Sequence, residues 1–150
     1  MIKFGRPVPV DVDARLPDLV DALARDRQIE AVWLFGSRAR NEADALSDAD
    51  LAVLGSSHLD VSALWDKQLE WTGLSAKVLG TDEVGLQVLN RLPTALRYSI
   101  LRDARLLWSR VPEIAADFTA WTVREYLDLK PYLERYDRDL FRQAASGRLR

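Results

Sequence analysis

Two short apolar runs, separated by a turn that carries a glycine and two carboxylates, constrain the fold most. The first run, Ile29–Phe35, ends at Gly36, and the second begins with Leu51. Both runs have the length and composition of buried strands. Asp48 and Asp50 open the second run, and side chains two residues apart on a strand point to the same side of a sheet. The sequence therefore predicts a glycine turn and a pair of carboxylates at the ends of two strands.

The residue types in this turn indicate phosphate chemistry. Two neighbouring carboxylates repel each other unless a cation lies between them, and Mg²⁺ is an oxygen-binding cation that also holds substrate phosphates. The Gly36-Ser37 turn offers backbone N–H groups and a hydroxyl to a phosphate. Arg38 and Arg40 follow the turn, where they would either meet triphosphate oxygens or remain solvated surface residues. A phosphate cradle beside a metal-binding pair predicts nucleotidyl transfer.

The spacing of these residues is specific enough to suggest a family. Gly36-Ser37, followed after ten residues by Asp48-x-Asp50, resembles the signature of the DNA polymerase β-like nucleotidyltransferase superfamily. The segments Phe-Gly-Ser-Arg-Ala-Arg and Ser-Asp-x-Asp-Leu-Ala-Val are similar to its smallest branch, the minimal nucleotidyltransferases (MNT), and the likeness extends over residues 14–110. The resemblance implies an α/β (α+β) fold, with a small mixed sheet flanked by helices. It also implies Mg²⁺ as cofactor and ATP as substrate.

The resemblance further implies a partner and roles for individual residues. Members of this branch commonly act as antitoxins of HEPN-domain toxins, in hetero-oligomers with them. A chain of this kind is expected to transfer AMP from ATP to a tyrosine of the HEPN ribonuclease and so silence it. The metal and catalytic roles fall on Asp48 and Asp50, and the nucleotide-binding roles on Gly36, Ser37, Arg38 and Arg40.

The next predicted strand departs from the family pattern. Gly85 stands where members of the family have a third carboxylate, which helps hold the metal and activates the attacking hydroxyl. By period-two alternation, Glu83 and Gln87 share the strand face of Gly85, so Glu83 is a possible substitute carboxylate. Three interpretations follow. The site is inactive, it is active with Glu83 as the substitute, or it binds nucleotide without turning it over and the antitoxin acts by direct binding.

Hydrophobic periodicity and turn residues divide the chain into alternating helices and strands. Helices are predicted over residues 11–26, from the Gly36 turn to about residue 45, over 58–79 with an interruption at Gly73, and over 93–102. Strands are predicted over residues 29–35, 84–89 and 105–108, and a further strand carries Asp48 and Asp50 at its start and continues over 51–54. Residues 1–110 form the expected nucleotidyltransferase core. Residues 111–150 form a helical extension that packs on the core or on a partner, within a single domain overall.

The helical extension carries one apolar stripe. Its members are spaced by three and four residues, as on one face of a helix: Tyr126, Leu129, Leu133, Tyr136 and Leu140. One interpretation is that the stripe covers the sheet, and the other is that part of it contacts a partner protein. Pro131 lies within the stripe and predicts a kink or the start of a new helix.

Composition excludes several classes of function. The chain has 150 residues, a formal net charge of −2 and no cysteine, which excludes disulfides and thiolate chemistry. The small net charge gives no electrostatic case for direct nucleic-acid binding, and Trp33 and Trp65 are predicted to belong to the core rather than to stack on bases. No run approaches the ~18 apolar residues of a membrane span, so a cytoplasmic location is expected.

Overall fold

A single mixed sheet organises the chain. The computed structural model describes Pro9 and residues 11–40 and 48–147. Within these residues the strands are β1 (Ile29–Phe35), β2 (Ala49–Gly55), β3 (Val84–Val88) and β4 (Arg105–Ser109), in the order β3-β2-β1-β4. β1 is antiparallel to β2 and β4, whereas β2 and β3 are parallel. The helices are α1 (Leu16–Ala24), α2 (Val61–Leu79), α3 (Thr94–Leu101) and α4 (Pro112–Ala145). The predicted α/β architecture is confirmed.

The sheet is covered by helices on both faces. Because successive side chains of a strand alternate, β1 buries Val32 and Leu34 on the side of α1 and α2. It buries Ala31 and Trp33 on the opposite side, against α3 and the first turns of α4. Trp33 is therefore a core residue, as predicted. Among the described residues, no helix is both long enough and apolar enough to cross a membrane.

Helix α2 has well-defined ends. The side chain of Asp60 accepts a hydrogen bond from the backbone N–H of Ala63 at 2.8 Å, so the helix begins at Val61 rather than at residue 58. It ends at Leu79 and is capped by Gly80, whose φ of 71° is the left-handed conformation that favours glycine. The predicted interruption at Gly73 is wrong: that residue is exposed and the helix continues through it, since an exposed glycine costs a helix only about 1 kcal/mol.

Asp26 connects α2 to the loop before β1. Its Oδ2 accepts hydrogen bonds from Trp71 Nε1 at 2.9 Å and Lys67 Nζ at 3.0 Å, and its Oδ1 accepts one from the backbone N–H of Gln28 at 2.9 Å. Partial burial raises the pKa of Asp26, but the hydrogen bonds from Trp71, Gln28 and Lys67 outweigh it and leave the pKa below its ordinary value. The carboxylate therefore stabilises the fold in its charged form.

We expect Asp26→Ala to lower the free energy of unfolding at neutral pH by about 1–3 kcal/mol, because the buried Trp71 indole N–H loses its acceptor. A folded-state pKa below the unfolded one means that the stabilisation is present above the unfolded pKa and is lost as pH falls through the folded pKa. Urea denaturation at several pH values measures this. The difference in free energy of unfolding between wild type and Asp26→Ala should become smaller in acid. A difference that stays the same at all pH values would contradict the role of the charge.

Trp65 was wrongly predicted to belong to the core, and of the two alternatives for Pro131, a kink or the start of a new helix, the second is wrong. Trp65 is 55% exposed and does not belong to the core. Its ring packs instead against the guanidinium of Arg91, whose Cζ lies 3.5 Å from the ring centroid. Pro131 neither ends α4 nor starts a new helix, because α4 is helical from Pro112 to Ala145. Its ring has the φ of a helical residue, and only one backbone hydrogen bond of a long helix is lost.

The apolar stripe of α4 does not cover the sheet. The residues of α4 buried against the core are Ala115 and Thr122, in its first half. From Leu127 onward every described residue is exposed, including Tyr136 at 65%. Periodicity correctly identified the apolar side of the helix, but only the first half of the helix packs on the core. The interpretation of the stripe as core is therefore wrong.

Candidate functional site

Gly36 places the predicted phosphate turn beside a predicted metal ligand. It follows the last residue of β1 and has a φ of 74°, in the left-handed region. A Cβ built on Gly36 would lie 2.5 Å from Oδ2 of Asp50 and 3.3 Å from its Cγ. Backbone angle and space both require glycine here. The turn and the Asp50 carboxylate are immediate neighbours, as the spacing predicted.

Strand pairing explains why Asp50 lies at the centre of the site. Asp50 is opposite Phe35 of β1 and opposite Gly85 of β3, so it belongs to the middle strand of three at this end of the sheet. Its neighbour Ala49 is buried on the side of α1 and α2. By alternation, Asp50 faces the side of α3, and Asp48 immediately precedes the strand.

The structure places Gly85 directly beside Asp50, where the resemblance implies a third carboxylate. A Cβ built on Gly85 would lie 2.8 Å from Oδ1 of Asp50, so the Asp50 carboxylate occupies the space that a side chain at residue 85 would need. Glu83 lies just before β3; its carbonyl accepts a hydrogen bond from the N–H of Ala49 at 3.1 Å. In the described part of the chain, no three His, Cys, Asp or Glu side chains are grouped as a metal site.

The donor set fits Mg²⁺. This ion commonly takes one or two protein carboxylates and completes its octahedron with water and substrate phosphates. Asp48 and Asp50 supply two hard oxygen donors, and the glycines at positions 36 and 85 let the Asp50 carboxylate lie close against the backbone of both neighbouring strands. These two carboxylates are therefore the residues that would hold the metal. The ion would neutralise the charge of a triphosphate at this position.

The two arginines after the turn lie in different environments. Arg38 is only 8% exposed, and its Nη1 lies 3.5 Å from Oδ1 of Asp13 at the start of the first helical segment. Arg40 is exposed and lines the cleft next to Gly36. Ser37 lies in the same turn, half-buried. Arg40 therefore lines the cleft, whereas Arg38 contacts Asp13. The short helix predicted from the turn to residue 45 falls largely outside the described residues.

A cleft of about 330 Å³ extends from the glycine turn to α3. It is lined by Phe35, Gly36, Arg40, Gln87, Leu96, Ser99, Ile100 and Asp103. This is the small end of the size range of ligand pockets, so a nucleotide would be only partly enclosed. Gln87 was indicated by strand alternation with Gly85. Ser99 and Asp103 were not predicted, although the similarity to MNT proteins extends through that part of the sequence.

One family model and several solved structures match the chain. Residues 18–113 match the family model described as polymerase beta, nucleotidyltransferase. No curated protein matches the chain. Among solved structures, a crystal structure of a toxin–antitoxin pair with AMP-PNP contains a chain with a TM-score of 0.68 and 22% identity, covering 86% of this chain and 98% of that one.

Two further structures show the same fold. One is the tri-AMPylated HEPN toxin of Shewanella oneidensis in complex with an MNT antitoxin, with a TM-score of 0.67 and 21% identity, covering 87% of this chain and 98% of that one. The other is the MntA–HepT toxin–antitoxin pair, with a TM-score of 0.66 and 22% identity, covering 86% and 98%. The mixed sheet and the glycine turn beside Asp50 are those expected from the sequence resemblance. Together with the match over residues 18–113, they show that the chain belongs to the polymerase β nucleotidyltransferase family.

Proposed function

We propose that the chain is an MNT-type antitoxin that neutralises a HEPN ribonuclease toxin by Mg²⁺-dependent transfer of AMP from ATP to a tyrosine of the toxin. The observation that carries this proposal is the close approach of the glycine turn to one member of the carboxylate pair, since a Cβ at Gly36 would lie 2.5 Å from Oδ2 of Asp50. The solved toxin–antitoxin complexes of the same fold, one of them with an AMPylated HEPN toxin, support the partner and the reaction.

In this reaction the tyrosine oxygen bonds to the α-phosphorus of ATP, the bond from that phosphorus to the bridging oxygen breaks, and pyrophosphate leaves. Asp48 and Asp50 would hold Mg²⁺, which when bound would supply stabilisation of the charge on the transferring and leaving groups. The N–H groups of the Gly36-Ser37 turn bind the phosphates, with Arg40 beside them. The tyrosine proton passes to water or to a carboxylate near the site, since Gly85 supplies no base.

A second candidate function is favoured by Gly85. General-base assistance is worth about 10²–10⁴-fold in rate, and Gly85 removes the group that would give it. In this alternative the chain keeps the nucleotide-binding fold and neutralises the toxin by complex formation alone. Both candidates share the partner and a hetero-oligomeric complex in the cytoplasm, and they differ in whether AMP is transferred.

A substitution at Glu83 tests whether this residue replaces the missing third carboxylate or whether the site is degenerate. If its carboxylate replaces the missing one, Glu83→Gln should lower AMP transfer by about 10²-fold or more while preserving the size of the side chain. The measurement is the rate of AMP incorporation into the toxin under saturating ATP. Asp82→Asn is the matched control, because Asp82 is the exposed neighbour of Glu83. Equal rates for wild type and Glu83→Gln would remove Glu83 from the mechanism.

Co-expression with the cognate toxin tests the proposed function in the cell. If neutralisation depends on catalysis, wild-type antitoxin should restore growth, and Asp48→Asn with Asp50→Asn should not. If neutralisation depends on binding, both should restore growth equally, with a stable complex recovered in each case. Failure of the wild-type chain to protect against the toxin would overturn both candidate functions.

A further inference from the structure

The second half of α4 presents an apolar seam without cover from the described part of the chain. The seam consists of Leu129, Leu133, Tyr136 and Leu140, which are 38%, 39%, 65% and 39% exposed. Tyr126, one step earlier in the same stripe, is engaged within the chain, because its ring stacks on Tyr98 with centroids 3.8 Å apart. Leu133 of the seam and Tyr98 of α3 line the same open groove, so the seam runs along the edge of that groove.

We propose that this seam pairs with the seam of a second copy of the chain, with the two α4 helices antiparallel. Steps of four, three and four residues are those of a two-helix seam, in which apolar side chains of one helix fit between those of the other. In the antiparallel register, Leu133 lies opposite Tyr136 of the second copy, and Leu129 lies opposite Leu140. A twofold axis near residues 134–135 makes the interface self-complementary.

Charge complementarity favours a second copy of the chain as the partner and an antiparallel arrangement of the two α4 helices. Lys130 and Asp137 directly follow the seam residues Leu129 and Tyr136, and both are exposed. In the antiparallel register Lys130 faces Asp137 of the second copy, and the twofold axis repeats this pair. A parallel arrangement does not bring the two together. Lys130 Nζ lies 4.0 Å from Oε1 of Glu134, a loose contact that leaves the ammonium able to approach a second carboxylate.

The opposite face of the same helix segment has the composition of a solvated surface. It carries Pro131, Glu134, Arg135 and Arg138, all of them exposed. The N–H that Pro131 lacks would leave a carbonyl open on this outer face, where water satisfies it. Thr122, the last buried residue of α4 among those described, lies roughly 19 Å from the proposed axis at ~1.5 Å per residue, so the two cores remain at opposite ends of the pair.

Sedimentation velocity of the full chain over a concentration series tests the proposal. Wild type should form a concentration-dependent dimer, and Leu133→Glu should weaken it at least about a hundredfold, because a charge would be placed in the seam. Phe141→Glu is the matched control: Phe141 is 79% exposed and lies off the seam, so this variant should dimerise as wild type does. Circular dichroism checks that each variant retains its helices.

Charge exchange tests the register. Lys130→Asp alone and Asp137→Lys alone should each weaken the dimer by about tenfold, because each creates two like-charged pairs. The double variant should recover wild-type affinity, since its pairs are again opposite in sign. A chain that stays monomeric at all concentrations would overturn the proposal. A double variant that dimerises no more tightly than the single variants would also overturn it. If the wild-type chain is monomeric and Leu133→Glu abolishes binding of the toxin, the seam contacts the toxin instead of a second copy.

Discussion

Replacing Asp48 and Asp50 together by asparagine is expected to abolish Mg²⁺-dependent nucleotide binding, lowering the affinity for ATP by at least about a hundredfold. Asparagine keeps the size of each side chain but supplies no charge to hold the ion or balance the triphosphate. Asp50 adjoins the glycine turn and the strand that carries Gly85, so the loss should affect both the metal and the phosphate positions. Calorimetric titration with ATP in the presence and absence of Mg²⁺ measures it.

The fold itself should survive this change. Asparagine keeps the size of each side chain, so the variant should fold, while the rise in Tm on adding Mg²⁺ and ATP should disappear. Asp117→Asn with Asp128→Asn is the control, since it changes the net charge equally at exposed positions of α4. Unchanged Mg²⁺-dependent binding in the Asp48, Asp50 variant would remove the metal assignment.

Gly85→Asp is expected to raise AMP transfer by about 10²–10⁴-fold, the usual contribution of a positioned general base. The new side chain would begin 2.8 Å from the present position of Asp50 Oδ1, so the Asp50 carboxylate has to rotate away. That atom is the end of a side chain, which can move at lower cost than backbone. The two carboxylates would then face the same metal from neighbouring strands.

The size-matched variant Gly85→Asn separates charge from bulk. It should displace Asp50 in the same way but give no increase in rate. Without metal, Gly85→Asp should also be less stable than Gly85→Asn because of carboxylate repulsion, and Mg²⁺ should reverse the order. If Gly85→Asp transfers AMP no faster than Gly85→Asn, the missing carboxylate is not what limits this site.

Short sequence patterns predicted those parts of the fold that depend on interactions between residues close together in the sequence. Strand β1 was predicted with its observed bounds, because a short apolar run ends at a glycine whose left-handed backbone stops the strand. The closeness of Gly36 to Asp50 followed from their positions at the ends of neighbouring strands. Gly85 was identified as the departure from the family pattern, and the structure places it opposite Asp50.

Other features depended on contacts between distant parts of the chain. The periodicity of α4 shows which side is apolar, but only the length of the helix relative to the sheet decides what that side touches. Trp65 was assigned to the core from its residue type, whereas its ring packs against Arg91 at the surface. Arg38 and Arg40 look alike in sequence, and the fold turns one towards Asp13 and the other into the cleft. Ser99 lies in α3 and Asp103 in the turn after it, and both reach the cleft because α3 packs across the sheet.

The most direct test of the account is the intact mass of the cognate HEPN toxin after incubation with this protein, ATP and Mg²⁺. The proposed function predicts added mass equal to one or more AMP groups, absent when ATP, Mg²⁺ or the carboxylates of Asp48 and Asp50 are removed. An unmodified toxin in a stable complex with the chain would contradict catalysis and favour neutralisation by binding. An unmodified toxin that forms no complex would contradict the assignment of the partner.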